Sequence, residues 1–115
     1  MALYSELPVY KASYQLLHKI VGMSVSWQRD YRYTLGQELK QELIDLLILQ
    51  FRANSRADKY DSLSLARESM ERVKIRVRLL HDLHQIGGTQ YATLAGEMGS
   101  ISKQLAAWQA KSIQV

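Results

Sequence analysis

Apolar residues recur along this chain every three or four positions in four separate stretches, and no stretch alternates with period two. That spacing belongs to helices that bury one face, so the pattern predicts helices and no strands. The first covers about residues 8–27 and opens with Pro8, whose missing N–H costs nothing in a first turn. Val9, Leu16, Ile20, Met23 and Trp27 share one face of it, broadened by Tyr10, Tyr14, Leu17 and Val21. The second covers about residues 33–54, with Leu35, Leu39, Leu43, Leu46 and Leu47 inward. The third, capped by Asp58 or Asp61, runs over about 59–85 with an inner stripe of Leu63, Ala66, Met70, Val73, Val77, Leu80 and His84. Gly87-Gly88 is expected to supply the left-handed residue that stops it, and Thr89 to cap the fourth, over about 90–110. The stripe of the fourth is Tyr91, Leu94, Met98, Ile101, Leu105 and Trp108. Short links favour antiparallel neighbours, so the expected fold is all-α: an antiparallel up-down-up-down four-helix bundle, one domain over residues 1–115.

One core needs one stripe per helix, and two of these helices carry more. On the third, Leu65, Ile75, Leu79, Leu83 and Ile86 gather roughly opposite the inner stripe; on the second, Ile44, Ile48 and Phe51 extend the apolar arc. A band of that kind left in water marks an interface. These eight residues are the candidate oligomer contacts. The competing account seats both helices centrally, each touching two neighbours within one subunit. The fourth helix has a row of small residues, Ala92, Ala95, Gly99, Ser102 and Ala106, expected to pack tightly inside the subunit.

Between the two stripes of the third helix runs a basic strip of Arg67, Lys74 and Arg78, ending at His81, with Arg72 and Arg76 on the other side. Each phosphate that such an array neutralises releases counterions, which adds affinity independent of sequence. Arg67, Arg72, Lys74, Arg76 and Arg78 are therefore the candidate nucleic-acid-binding residues. The plainer account is a solvated face with pairs such as Glu68–Arg72 and Glu71–Lys74 at helical spacing.

A net charge of +4 adds a mild bias toward anionic partners. The absence of cysteine removes disulfides and thiolate metal sites, and suits the reducing cytoplasm expected for this chain. The first eight residues lack the basic and apolar regions of a secretory signal, and the apolar run Leu43 to Phe51 is too short to span a bilayer. A soluble protein is expected.

Nothing in the sequence points to a reaction. It has no phosphate-binding loop, no dinucleotide fingerprint, no nucleophile elbow and no paired-carboxylate constellation. His81 and His84 are spaced for a shared metal, but lack a Glu-x-x-His partner and point to different sides of the helix. Asp45 falls near Glu38 and Arg52, where an ion pair is the simple account. Tyr14, Tyr31, Tyr33, Tyr60 and Tyr91 have faces that stack on bases, though tyrosines at helix ends more often serve packing. No catalytic residue, metal or cofactor is expected.

Four segments carry a resemblance to a known family. They are Leu7-Pro-Val-Tyr-Lys, Arg32-Tyr-Thr-Leu-Gly-Gln-Glu-Leu39, Arg76-Val-Arg-Leu-Leu-His-Asp-Leu83 and Gly99-Ser-Ile-Ser-Lys-Gln-Leu-Ala-Ala-Trp108. Together they resemble the four-helix-bundle family of ribosomal RNA intervening-sequence proteins and accessory variability determinant (Avd) proteins of diversity-generating retroelements. The intervening-sequence branch has an Asn-Ile-Ala-Glu-Gly-like end to its second helix, where this chain has Phe51-Arg-Ala-Asn-Ser, nearer the retroelement branch. The resemblance implies a non-catalytic, basic, five-membered homo-oligomer that binds RNA or an RNA–DNA hybrid and a reverse transcriptase. It assigns no individual residue to those contacts. The alternative is a self-assembling scaffold, or an intervening-sequence protein, without a reverse-transcriptase partner.

Overall fold

The computed structural model describes residues 3–55 and 57–113; residues 1, 2, 56, 114 and 115 lie outside that description. Four long helices form it: α1 Pro8–Ser24, α3 Leu35–Ser55, α4 Lys59–Asp82 and α5 Gly88–Ser112. A 3-10 turn, Tyr4–Glu6, precedes α1, and a one-turn helix, α2 Arg29–Arg32, sits between α1 and α3. The fold is the all-α four-helix bundle that the periodicity predicts, 48 × 22 × 21 Å, with no strand among the described residues.

Cross-bundle hydrogen bonds fix the helix directions. Ser13 early on α1 meets Gln50 late on α3, and Glu42 on α3 meets Ser69 and Arg76 on α4. Arg67 early on α4 meets Gln109 late on α5, and Lys19 late on α1 meets Glu97 early on α5. Every neighbouring pair is therefore antiparallel. α1 packs on α3 and α5, and α4 packs on the same two from the opposite corner.

The predicted inner stripes meet in one core. Leu16, Ile20, Leu39, Leu43, Leu46, Leu63, Met70, Leu80, Leu94, Ile101 and Leu105 have no more than trace exposure. Met23, Leu35, Tyr91 and Trp108 pack against its edge half-buried. The core also holds polar groups that periodicity did not nominate. Gln50, wholly buried, donates from Nε2 to Ser13 Oγ at 2.9 Å, and that hydroxyl donates to Val9 O at 2.7 Å.

The ends of the helices depart from expectation for local reasons. α1 stops at Ser24, short of Trp27, where Ser24 Oγ donates to Val21 O at 2.7 Å and Ser26 Oγ to Met23 O at 3.0 Å. Such hydroxyls give the chain an alternative to continuing the helix. Trp27 still reaches the core from the turn, under the first turn of α3. A β-carbon on Gly36 would come within 3.2 Å of both the Trp27 ring and the Tyr31 carbonyl, so a larger residue here would press on one of them by a few tenths of an ångström.

α4 ends on a non-glycine. His84 takes the left-handed conformation, φ 64°, and the adjacent amides close the turn: Gln85 N donates to Leu80 O at 2.8 Å and His84 N to His81 O at 2.9 Å. That is the paired bonding of a Schellman ending, with His84 in the place where glycine is commonest. His84 is consequently exposed and outside the inner stripe to which its spacing assigned it. Gly87-Gly88 does not stop α4: Gly87, at φ −72°, is the N-cap of α5, its amide donating to Gln90 Oε1 at 3.2 Å, and Gly88 is the first helical residue. Thr89 lies inside the first turn. Asp58 does hold the N-cap position of α4, without a side-chain capping bond.

Candidate assembly face and nucleic-acid interface

The eight apolar candidates do not form one patch. At about 100° per residue, Glu42 and Ile44 fall on opposite flanks of α3, and Glu42 is the flank that faces α4. Ile44, Ile48 and Phe51 therefore lie on the side toward α1. Ile44 shares a groove with Leu17 and Val21, and the Phe51 ring packs edge-on against Tyr4 at 4.9 Å. With Tyr14 they form an α1–α3 face on which Ile48 is 53% and Tyr14 53% exposed.

Leu65, Ile75 and Leu79 lie instead on the outward side of α4, with Ile75 66% exposed. Leu83 is half-buried at the end of that helix. Ile86 corrects the expectation outright. It lies past the end of α4, where the Schellman turn swings the chain inward, and at 1% exposure it belongs to the core. α3 and α4 each touch two neighbours, as the competing account supposed, yet six of the eight nominated side chains remain exposed.

The basic residues are brought together along α4, and most meet carboxylates. Glu42, only 11% exposed at its side chain, receives Arg72 Nε at 2.9 Å, Arg76 Nη1 at 2.8 Å and Ser69 Oγ at 2.6 Å. Burial alone would raise the Glu42 carboxyl; the bonds from Ser69, Arg72 and Arg76 and the charge of Arg72 outweigh it and hold the group below its ordinary range. Glu38 adds a 3.8 Å contact to Arg76. Lys74 pairs with Glu71 at 2.9 Å as its spacing suggests, and Arg78 with Asp82 at 3.9 Å. The expected Glu68–Arg72 pair is displaced by Glu42 from the neighbouring helix.

Arg67 differs, donating from Nη1 to the neutral Gln109 Oε1 at 2.7 Å, with no carboxylate among the described residues in ion-pair distance. Gln109 is buried and in turn donates to Ser64 Oγ at 2.6 Å and to Tyr60 O at 3.2 Å. Arg67 opens one end of a groove between α4 and α5, with Ser64, Glu68, Glu71, Ser102 and Gln109. Further along, Lys74, Ile75 and Arg78 face Tyr91, Ala95, Met98 and Gly99. Of the small residues of α5, Ala95, Gly99 and Ser102 line this groove, and at Gly99 the expected tight packing is absent: a β-carbon there would meet no atom within 4 Å.

The histidine pair is divided. His81 Nδ1 donates to Ile86 O at 2.8 Å, and its ring stacks on Tyr91 with centroids 4.4 Å apart, while His84 faces solvent. Among the described residues no three His, Cys, Asp or Glu side chains gather as a metal site would require. Asp45 accepts from Gln41 Nε2 at 3.0 Å and has no ion pair with Arg52. No helix among the described residues is long and apolar enough to cross a membrane.

By architecture the chain is a helical bundle with two exposed apolar faces and a mixed-charge groove. Comparison with family models, curated proteins and solved structures finds no match.

Proposed function

We propose that this protein is a non-catalytic, homo-oligomeric helical adaptor. The observation that carries the reading is the pair of apolar faces outside a core that is already closed. Leu65, Ile75 and Leu79 on α4, and Ile44, Ile48 and Phe51 on α3, are each more than 40% exposed. Large side chains grouped along helix faces and left in water are what association covers.

Nucleic acid is the second partner in this reading, RNA or an RNA–DNA hybrid. Its support is the α4–α5 groove, where Arg67, Lys74 and Arg78 succeed one another along a helix and Tyr91 stands at one end. Assembly would place several such strips side by side. Arg72 and Arg76 contribute less, because their guanidinium groups are committed to Glu42. A reverse transcriptase as the protein partner rests on the resemblance to retroelement accessory proteins, and no residue is assigned to it.

The test is a titration of the protein with single-stranded RNA at increasing salt. Binding that weakens steeply with salt, and that falls when Lys74 and Arg78 are both changed to Glu, supports the nucleic-acid role. No binding at low salt leaves a self-assembling scaffold.

A further inference from the structure

We infer that the Arg67 end of the α4–α5 groove is a pocket for one unpaired guanine base of a single-stranded RNA. Arg67 reads its O6 and N7 edge, and Glu68 reads its N1–H and N2–H edge. The inference rests on the nucleic-acid role proposed above and names the base that the groove selects.

The pocket has a volume of about 380 Å³ and is lined by Ser64, Arg67, Glu68, Glu71, Ser102 and Gln109. That is the size of a small-ligand site. Gln109, 5% exposed, donates from Nε2 to Ser64 Oγ and Tyr60 O and accepts Arg67 Nη1 on Oε1. It therefore positions the guanidinium, whose remaining N–H groups are left for a ligand. Ser64 Oγ accepts from Gln109, which leaves its own proton to donate, and Ser102 Oγ is buried without a hydrogen-bond partner.

The acids decide what kind of ligand fits. Glu68 and Glu71 line the same pocket as Arg67, and two carboxylates repel a phosphate. Glu71 is held by Lys74 at 2.9 Å, but Arg72, the cation that helical spacing offers Glu68, is taken by Glu42. Arg67 and Glu68 are thus opposite charges in one pocket, neither in an ion pair among the described residues. A ligand that satisfies both carries two acceptors beside two donors. Guanine does so: O6 and N7 accept the forked guanidinium, while N1–H and N2–H lie parallel and match the two oxygens of a carboxylate. Adenine, cytosine and uracil each lack that adjacent pair of N–H donors. Both edges are open to side chains in unpaired RNA. Lys74 and Arg78, further along α4, then meet the phosphates on one side of the base.

The test titrates the full chain with short oligouridines carrying one central guanosine, inosine or adenosine, read by fluorescence anisotropy at fixed salt. The guanosine strand should bind about tenfold more tightly than the adenosine strand. Inosine, which lacks the N2 amino group, should fall between them. Glu68→Gln, at an exposed position, should abolish that preference. Were Glu68 only a solvated charge near phosphate, the change would raise affinity for all three strands alike. Arg67→Met should also abolish the preference, whereas Lys74→Ala should weaken all three strands equally. Equal affinity of the wild type for the three strands, or a guanosine preference that survives both Glu68→Gln and Arg67→Met, would overturn the pocket while leaving the nucleic-acid role standing. No binding of any strand at low salt would end both.

Discussion

Arg76 Nη1 lies 2.8 Å from Glu42 Oε1, joining α4 to α3 through a carboxylate that also holds Arg72 and Ser69. Replacing the acid with glutamine removes its charge and exchanges one of its two acceptor oxygens for a donor facing Ser69, Arg72 and Arg76. Glu42→Gln should cost about 1–3 kcal/mol in chemical denaturation, the range for charge-assisted bonds at a half-buried site. Because Glu42 is held below its ordinary value of 4.5, its stabilising effect is complete above that pH and is lost as pH falls through the lower folded value. The gap between wild type and Glu42→Gln should therefore be widest near neutrality and shrink on acidification. The same change frees two guanidinium groups, so RNA affinity should rise if α4 carries the binding.

The left-handed His84 stops α4 at a position that glycine occupies without strain. His84→Gly should stabilise the bundle by about 0.5–1 kcal/mol. In thermal unfolding that is a rise of a few degrees. A loss of stability would show that the His84 side chain contributes more than its backbone costs.

Gln50 and Ser13 form a polar pair in the core, and Gln50 Oε1 is buried without a partner. Gln50→Leu should be neutral or mildly stabilising in denaturant titrations, since it removes an unsatisfied acceptor, while Gln50→Ala should cost about 2–4 kcal/mol through the cavity.

Gly99 sits in the middle of α5 with open space where a side chain would be. Gly99→Ala should stabilise the folded chain by about 1 kcal/mol on helix propensity alone. Gly99→Trp would fill the α4–α5 groove instead. If that groove takes RNA, the tryptophan should reduce affinity while leaving the helical content of the circular dichroism spectrum intact.

The helices and their inward stripes were legible because a 3.6-residue period leaves a direct trace in the order of side chains. Leu63 to Leu80 on α4 read correctly to the residue. The ends were less legible, because turn geometry is decided by a few backbone bonds. Glycine at positions 87 and 88 looked like the stop, and a histidine in a Schellman turn supplies it. That turn also carried Ile86 inward, against an extrapolated helical face. In the basic strip the sequence showed positive charges close together but not their partners, since Glu42 is thirty residues from Arg72 and comes near only through α3–α4 packing. The exposed stripes were legible as an excess of apolar positions. Their division between two faces required knowing which flank of α3 meets α4.

Self-association is the central claim, and solution mass tests it most directly. Sedimentation equilibrium at micromolar protein and moderate salt should return a multiple of the 13.2 kDa chain mass, decreasing on dilution or on changing Ile48 to Lys. A mass of 13.2 kDa at every concentration would contradict the account, leaving both apolar faces exposed in a monomer.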